Sequence, residues 1–435
     1  MRRPVYCAAI LASALVALAC SSAEEAAAPA AEPAAGASLS RGLLLSLSPF
    51  EVTAAGKVVP KPGAARLEIL RLRNGTWEVS TLDDADSNVF HKAMRYEPQP
   101  GQAGILTLGG TQAILRLRRP GAEAETLWQK DFGGRWSRMR DAEVADIYGD
   151  GVPTLAVATH DQGVVATVRP GEGGVWDVKE LDREKDTFVH EIEIGDLDGD
   201  GVLEVYATPS EPNRLDGSPQ SGKVTRYVPA KGSGRVVAAD LGNRHAKEIL
   251  VGDVDGDGRD ELYVSVEGET EGKGREARLV HPVEIRRYDA DTDPTQGAVI
   301  ARLTGERLCR FLTAGDVDGD GKQEMVAAGF KSGLWLLRPG DDPKGEWALE
   351  SIDRQSGGFE HASILTDLDG DGKDELYVAS DDHGEVRRYT WNGKGFDKET
   401  IYERTYAVGG QQKKVPGAAF TWNIMPIPVE LIPTP

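Results

Sequence analysis

The sequence predicts an all-β fold, a β-propeller of seven blades that are each a four-stranded sheet. Three observations carry that prediction. An acidic stretch, Asp-x-Asp-Gly-Asp-Gly-x-x-Glu, opens at Asp196, Asp253, Asp316 and Asp367, and a degraded copy opens at Asp146, where Tyr148 and Thr154 replace two acids. These anchors stand 50, 57, 63 and 51 residues apart, so the stretch belongs to a larger repeating unit. Within each unit the apolar residues alternate or run in short blocks between Gly, Pro and Asn turns, with no helical period.

The elements follow in a fixed order. Each acidic stretch leads into a strand-forming block such as ELYVSV, then a turn and an alternating run, as in HDQGVVATVRPG, GFKSGLWLLRPG and DDHGEVRRYTWNG. An aromatic residue then opens the last strand, at Trp176, Trp347 and Phe396. Upstream, ARLEILRLRNG and GGTQAILRLRRPG match the alternating run, and Trp77 and Trp128 match the last strand. Their regular place suits packing between blades better than stacking on a sugar.

Unit starts near residues 41, 88, 136, 187, 244, 309 and 357 give seven units over 41–435. The long intervals come from two insertions, TPSEPNRLDGSPQSG and GETEGKGREARLVHPV. The segment from Asp240 to Ile249 imitates an acidic loop but lies 13 residues before Asp253, so it reads as an outer strand (Arg235 to Leu241) followed by the next inner strand. The C-terminal PGAAFTWNIMPIPVEL is expected to join the first unit, closing the wheel with both chain ends. Such units cannot each bury two faces alone, but arranged radially they cover one another. Separate sandwiches would need about 100 residues each.

The acidic stretch places side-chain oxygens at its positions 1, 3, 5 and 9 and a backbone carbonyl at 7. An oxygen-only set with glycines permitting a tight wrap suits a hard cation that takes six or more ligands, which favours Ca²⁺ over Mg²⁺ or zinc. The candidate ligands are Asp196, Asp198, Asp200 and Glu204; Asp253, Asp255, Asp257 and Glu261; Asp316, Asp318, Asp320 and Glu324; and Asp367, Asp369, Asp371 and Glu375. The alternative is four acidic turns without metal. The Asp146 loop, short of two ligands, reads as empty. An EF-hand would need a bidentate Glu at position 12 and a following helix, whereas position 12 is Ala207, Val264, Ala327 or Val378 inside strand-forming sequence.

These loops between consecutive short strands resemble the FG-GAP/VCBS repeats of bacterial envelope proteins and of the integrin α-chain propeller. The resemblance covers roughly 41–430 and is densest over 187–405. It implies Ca²⁺ in loops on one rim of a seven-bladed wheel, where the ion holds the turn and performs no chemistry. The literal Phe-Gly…Gly-Ala-Pro signature is absent, which points to the broad family rather than to an integrin relative.

The N-terminus reads as an address. Arg2 and Arg3 precede an apolar run from Val5 to Ala19, too short to span a bilayer, so residues 1–19 are expected to be a removed signal peptide. The run ends at Cys20 and resembles a bacterial lipobox, although Ala17 stands where that family favours Leu; plain secretion is the alternative. The resemblance implies lipidation of Cys20, and Ser21 in place of an Asp leans to the outer membrane. Residues 20–40, rich in Ala, Pro and Glu, have nothing to bury and read as a tether.

The chain carries a formal charge of -20 and a pI near 4.9, which argues against a nucleic-acid partner, since that needs a basic surface. Its three cysteines, Cys7, Cys20 and Cys309, provide no disulfide framework, and Cys309 reads as a core residue. Six residues before the anchors stand Arg140, His190, Lys247, Arg310 and His361, and strand alignment adds His91. Equivalent positions on inner strands would form a ring at the channel mouth, suited to an anionic ligand; His91, His190 and His361 could alternatively ligate a transition metal. The plainer reading is that these side chains fill a wet funnel.

No G-x-S-x-G, P-loop or H-E-x-x-H motif is present. The expectation is a non-enzymatic, envelope-anchored, calcium-binding module for a protein or glycan ligand. The alternative resembles a polysaccharide lyase, with the ring acting on an acidic glycan. A third reading is a calcium-stiffened spacer.

Overall fold

The computed structural model describes residues 40–432 except 135, 210 and 273–277; the signal segment, Cys20 and nearly all of the tether lie outside the described residues. The chain forms seven four-stranded antiparallel blades. Six run in sequence from the channel outward, starting from inner strands Val89–Tyr96, Met139–Ala145, Val189–Gly195, Ala246–Gly252, Cys309–Gly315 and Ser363–Thr366. These are blades 2 to 7. The outer strand Ser233–Gly242 and the inner strand Ala246–Gly252 fall where the sequence put them around Asp240.

Blade 1 is assembled from both chain ends. The C-terminal strand Ala419–Pro428 is its inner strand and pairs antiparallel with Arg41–Val52, Leu44 opposite Met425. The strands Ala65–Arg73 and Thr76–Asp84 complete it. This is the closure expected from the sequence, and it leaves the wheel without a free inner edge. Among the described residues the two insertions lie between the second and third strands of blades 4 and 5, the latter carrying a hairpin of Glu269–Glu271 with Arg278–His281.

The second strand of each of blades 3 to 7, such as Glu261–Val266 or Glu375–Ser380, is buried along its whole length because neighbouring blades cover both faces. The repeated aromatics lie at those blade junctions. Trp176 of blade 3 packs on Tyr96 of blade 2 with ring centres 6.2 Å apart, Trp347 of blade 6 on Tyr263 of blade 5 at 5.7 Å, and Trp77 of blade 1 on Tyr377 of blade 7 at 6.4 Å. Phe396 joins the cluster between blades 6 and 7, while Trp128 packs on Phe132 within blade 2. Cys309 is fully buried in the core, as expected.

Candidate functional site

The four complete acidic loops connect the first and second strands of blades 4 to 7, so they share one rim. The first aspartate builds each turn by accepting the backbone N–H groups four and five residues on, and Asp316 and Asp367 accept a third, from Gly319 and Gly370. Asp253 takes them from Asp257 at 3.0 Å and Gly258 at 2.9 Å, and Asp196, Asp316 and Asp367 repeat the pattern. Asp146 makes the same turn with Asp150 and Gly151, so the fifth copy keeps the geometry with only two of the four carboxylates.

Within each complete loop, one carboxylate oxygen from each of the three aspartates lies within 4.8 Å of the others. Glu261 joins its triad; Glu375 shares a hydrogen bond with Asp369 alone, and Glu204 and Glu324 do not come within that distance of all three of their aspartates. Each of these glutamates opens a buried strand and turns toward it. Glu204 accepts from the Tyr206 hydroxyl and from Arg226 at 2.8 Å; Glu324 accepts from the Val317 N–H at 3.1 Å and from Arg338; Glu375 accepts from the Tyr377 hydroxyl at 3.0 Å. Burial pushes the carboxyls of Glu261 and Glu324 up to about 7 and that of Glu375 to about 8. The donor set is oxygen throughout and fits a hard cation.

The expected ring is only partly assembled. In blades 2 to 6 the residue in question sits at a β-bulge near the start of the inner strand: pairing skips His91, Arg140, Lys247 and Arg310, and the skipped step in blade 4 contains His190. A bulge sets two residues against one and re-aims a side chain. Blade 1 has the same bulge, and the residue skipped there is Trp422, which sequence alignment of the acidic loops could not reach.

Arg140 forms the hub. Its guanidinium donates to His91 Nδ1 at 3.2 Å and His190 Nδ1 at 3.0 Å, and lies over the Trp422 ring at 5.6 Å. Arginine only donates, so both imidazoles accept at Nδ1, are neutral, and carry their proton on Nε2. Burial, then the Arg140 charge, holds both well below the usual histidine range. His160, beyond the second strand of blade 3, stacks on His91 and completes a three-histidine group. Lys247 is paired with Glu211 at 2.9 Å, and Arg310 lies 5.1 Å over Phe359 with Nε and Nη1 buried and without partners.

His361 is not in the ring. Its backbone has φ of 58°, and the side chain turns between blades 6 and 7 to bond the Gly329 carbonyl at 2.9 Å and Ser356 Oγ at 2.8 Å. Glu360 stands nearest Arg140 from that blade, at 3.9 Å. The three-histidine set of His91, His190 and His361 is therefore not brought together. Moreover, His91, Arg140, His190 and Arg310 are all buried, so this end of the channel is plugged rather than lined by an open cationic ring.

Below the plug the channel widens into a cavity of about 370 Å³ whose charged wall is acidic: Glu143, Glu191, Glu193 and Glu248, with Lys92. Sequence reading missed these residues; the signal was there, carboxylates at alternate positions of the inner strands of blades 3 and 4 and one, Glu248, in that of blade 5.

The sequence matches no known protein family and no curated protein closely enough to count as a relative. Solved structures do align with it. A protein from Lactobacillus plantarum superposes with a TM-score of 0.52 at 12% identity, over 89% of this chain and 99% of that one. A putative 6-phosphogluconolactonase from Bacteroides uniformis gives a TM-score of 0.52 at 13% identity, over 89% of this chain and all of that one. At such identities the likeness speaks for the fold alone.

Proposed function

We propose that this chain is a calcium-binding propeller of the FG-GAP/VCBS kind, held on the bacterial cell envelope, at the outer membrane, by a lipid on Cys20, and that it acts as a binding module for a protein or glycan ligand. The observation that carries this reading is the repeated aspartate triad. Four loops on one rim converge three carboxylates each, more charge than the Lys231–Asp200, Arg287–Asp255 and Arg338–Asp318 pairs offset, and carboxylates packed so closely repel until a further cation joins them. Asp196, Asp198 and Asp200, and their counterparts in the next three blades, would hold Ca²⁺, with Glu261 an added ligand in blade 5. The ion supplies charge compensation and a rigid rim on which loops can meet a ligand.

The test is a glycan and envelope-protein binding screen of the lipid-free chain with Ca²⁺ and with a chelator. Calcium-dependent capture supports the module; capture indifferent to chelation, together with a melting point indifferent to Ca²⁺, removes it.

A second reading is an enzyme acting on an anionic substrate at the plugged end. Its support is the pair of buried, unpartnered donors there, the Arg310 guanidinium and His91 Nε2. The fold neighbour described as a putative 6-phosphogluconolactonase is a weak hint in the same direction. Cleavage of a uronate polymer or hydrolysis of a phosphorylated lactone, lost in His190→Ala and Arg310→Met, would establish it; inactivity of the intact chain on both would dismiss it.

A further inference from the structure

The channel cavity sets four glutamates from the inner strands of blades 3 to 5 against Phe311, Ile364 and Met425 from those of blades 6, 7 and 1, and we propose that it binds a linear aliphatic amine bearing two or more ammonium groups. The charge balance within the cavity is lopsided. Lys92 is already committed to Asp141, at 2.9 Å, and to Glu143. Glu248 is met by the Leu312 N–H at 3.0 Å, and Glu191 shares a hydrogen bond with Asp141. Among the described residues nothing hydrogen-bonds the Glu193 carboxylate.

Independent of the acids, two neutral groups are left waiting. Ser363 lines the cavity, is 3% exposed, and its Oγ has no partner; the Asn423 Oδ1, also in the wall, is buried and unpartnered. Both accept N–H donors, as an ammonium group supplies. A bare metal ion fits less well. Outside the rim loops, no three His, Cys, Asp or Glu side chains among the described residues bring ligand atoms within 4.8 Å of one another. An amine chain instead spans separated carboxylates while its methylenes lie along the apolar wall.

The cavity is reached from the calcium rim. Val254, Gln323 and Leu365 line that end, beside the loops opening at Asp253, Asp316 and Asp367, and the far end is closed by Arg140 and its histidines. An acidic rim draws cations toward the opening.

Burial holds the carboxyls of Glu143, Glu191, Glu193 and Glu248 above their ordinary range, against the field of Lys92 and Arg140 and alongside Asp141. An ammonium ion beside them favours the ionised form, so binding releases protons.

The experiment is isothermal titration of the calcium-loaded chain with putrescine and with spermidine, in two buffers of different ionisation enthalpy. We expect one saturable site and net proton release, with binding weakened about tenfold or more by Glu193→Gln and by Glu248→Gln. Absence of saturable heat, or affinity unchanged in both variants, overturns the proposal. So does a Met425 methyl resonance in the unmutated chain that stays in place at saturating amine, a readout that needs no variant to fold. Because the calcium loops stay loaded throughout, failure here leaves the calcium reading standing.

Discussion

The Oδ2 of Asp374, in blade 7, accepts a hydrogen bond at 2.8 Å from the backbone N–H of Asp316, the first loop residue of blade 6, and the Asp374 N–H returns one at 2.8 Å to the Asp316 carbonyl. Asp260 of blade 5 does the same for the N–H of Asp196 in blade 4, at 2.8 Å. Both aspartates occupy position 8 of the acidic stretch, where blades 4 and 6 have Leu203 and Gln323. Position 8 therefore staples one blade's loop to the preceding one. It also explains Gly315, where a Cβ would stand 2.5 Å from Asp374 Oδ2; at Gly195 a Cβ would meet Val251 Cγ1 at 2.2 Å as well as Asp260 Oδ2 at 2.9 Å, whereas Gly252, facing no such aspartate, has nothing within 4 Å.

Removing a staple should cost stability without touching a metal ligand. Asp374→Ala is expected to destabilise by about 1–3 kcal/mol, the range for a hydrogen bond to a charged group whose partner is left unmet. Gly315→Ala should act in the same direction, because its new methyl displaces the carboxylate. Denaturant unfolding at fixed Ca²⁺ measures both; Gln323→Ala, with no staple to lose, is the control.

Calcium should raise the melting point by mass action on the native state, about 2.7 kcal/mol per site at a hundredfold excess over Kd. Asp253→Asn, in the loop where Glu261 joins the triad, should reduce that gain most, and Asp146→Asn should leave it unchanged. Calorimetry with Ca²⁺ and with chelator reads both.

Acid should destabilise the wheel through His361. Burial lowers its pKa to about 4 from 6.5, so the unfolded chain binds the proton more readily. The folded form is then unpenalised above pH 6.5 and loses stability as pH falls toward 4, by about 3 kcal/mol for this group. His91 and His190 add in the same sense. His361→Asn suits the positive φ and removes the titrating ring, so it should flatten the stability difference between pH 7 and 4.5. An unchanged slope would mean the imidazole charges freely in the folded state.

Closure should be all-or-none. Deleting residues 419–435 removes the inner strand of blade 1 and bares the edge of Arg41–Val52. The truncated chain is expected to aggregate or to lose its single cooperative unfolding transition, as read by circular dichroism and light scattering.

The wheel was legible in the sequence because its signals are local and repeated. A turn such as Asp253 to Glu261 and its following strand are set by neighbouring residues, and repetition fixed the number of blades and the part played by the C-terminal strand. The aromatic of the last strand likewise revealed its packing role by recurring at one place in five of the blades. What distance along the chain hides is which side chains meet across blades. Counting six residues back from Asp367 points to His361, yet a left-handed backbone there turns it away and leaves Glu360 facing Arg140. The glutamates at position 9 share one spacing, yet only Glu261 joins its triad, a difference set by the side chains each one meets once the blades are packed. The carboxylates of the channel come from separate inner strands, so they form one acidic wall only once radial closure has brought those strands around a common axis.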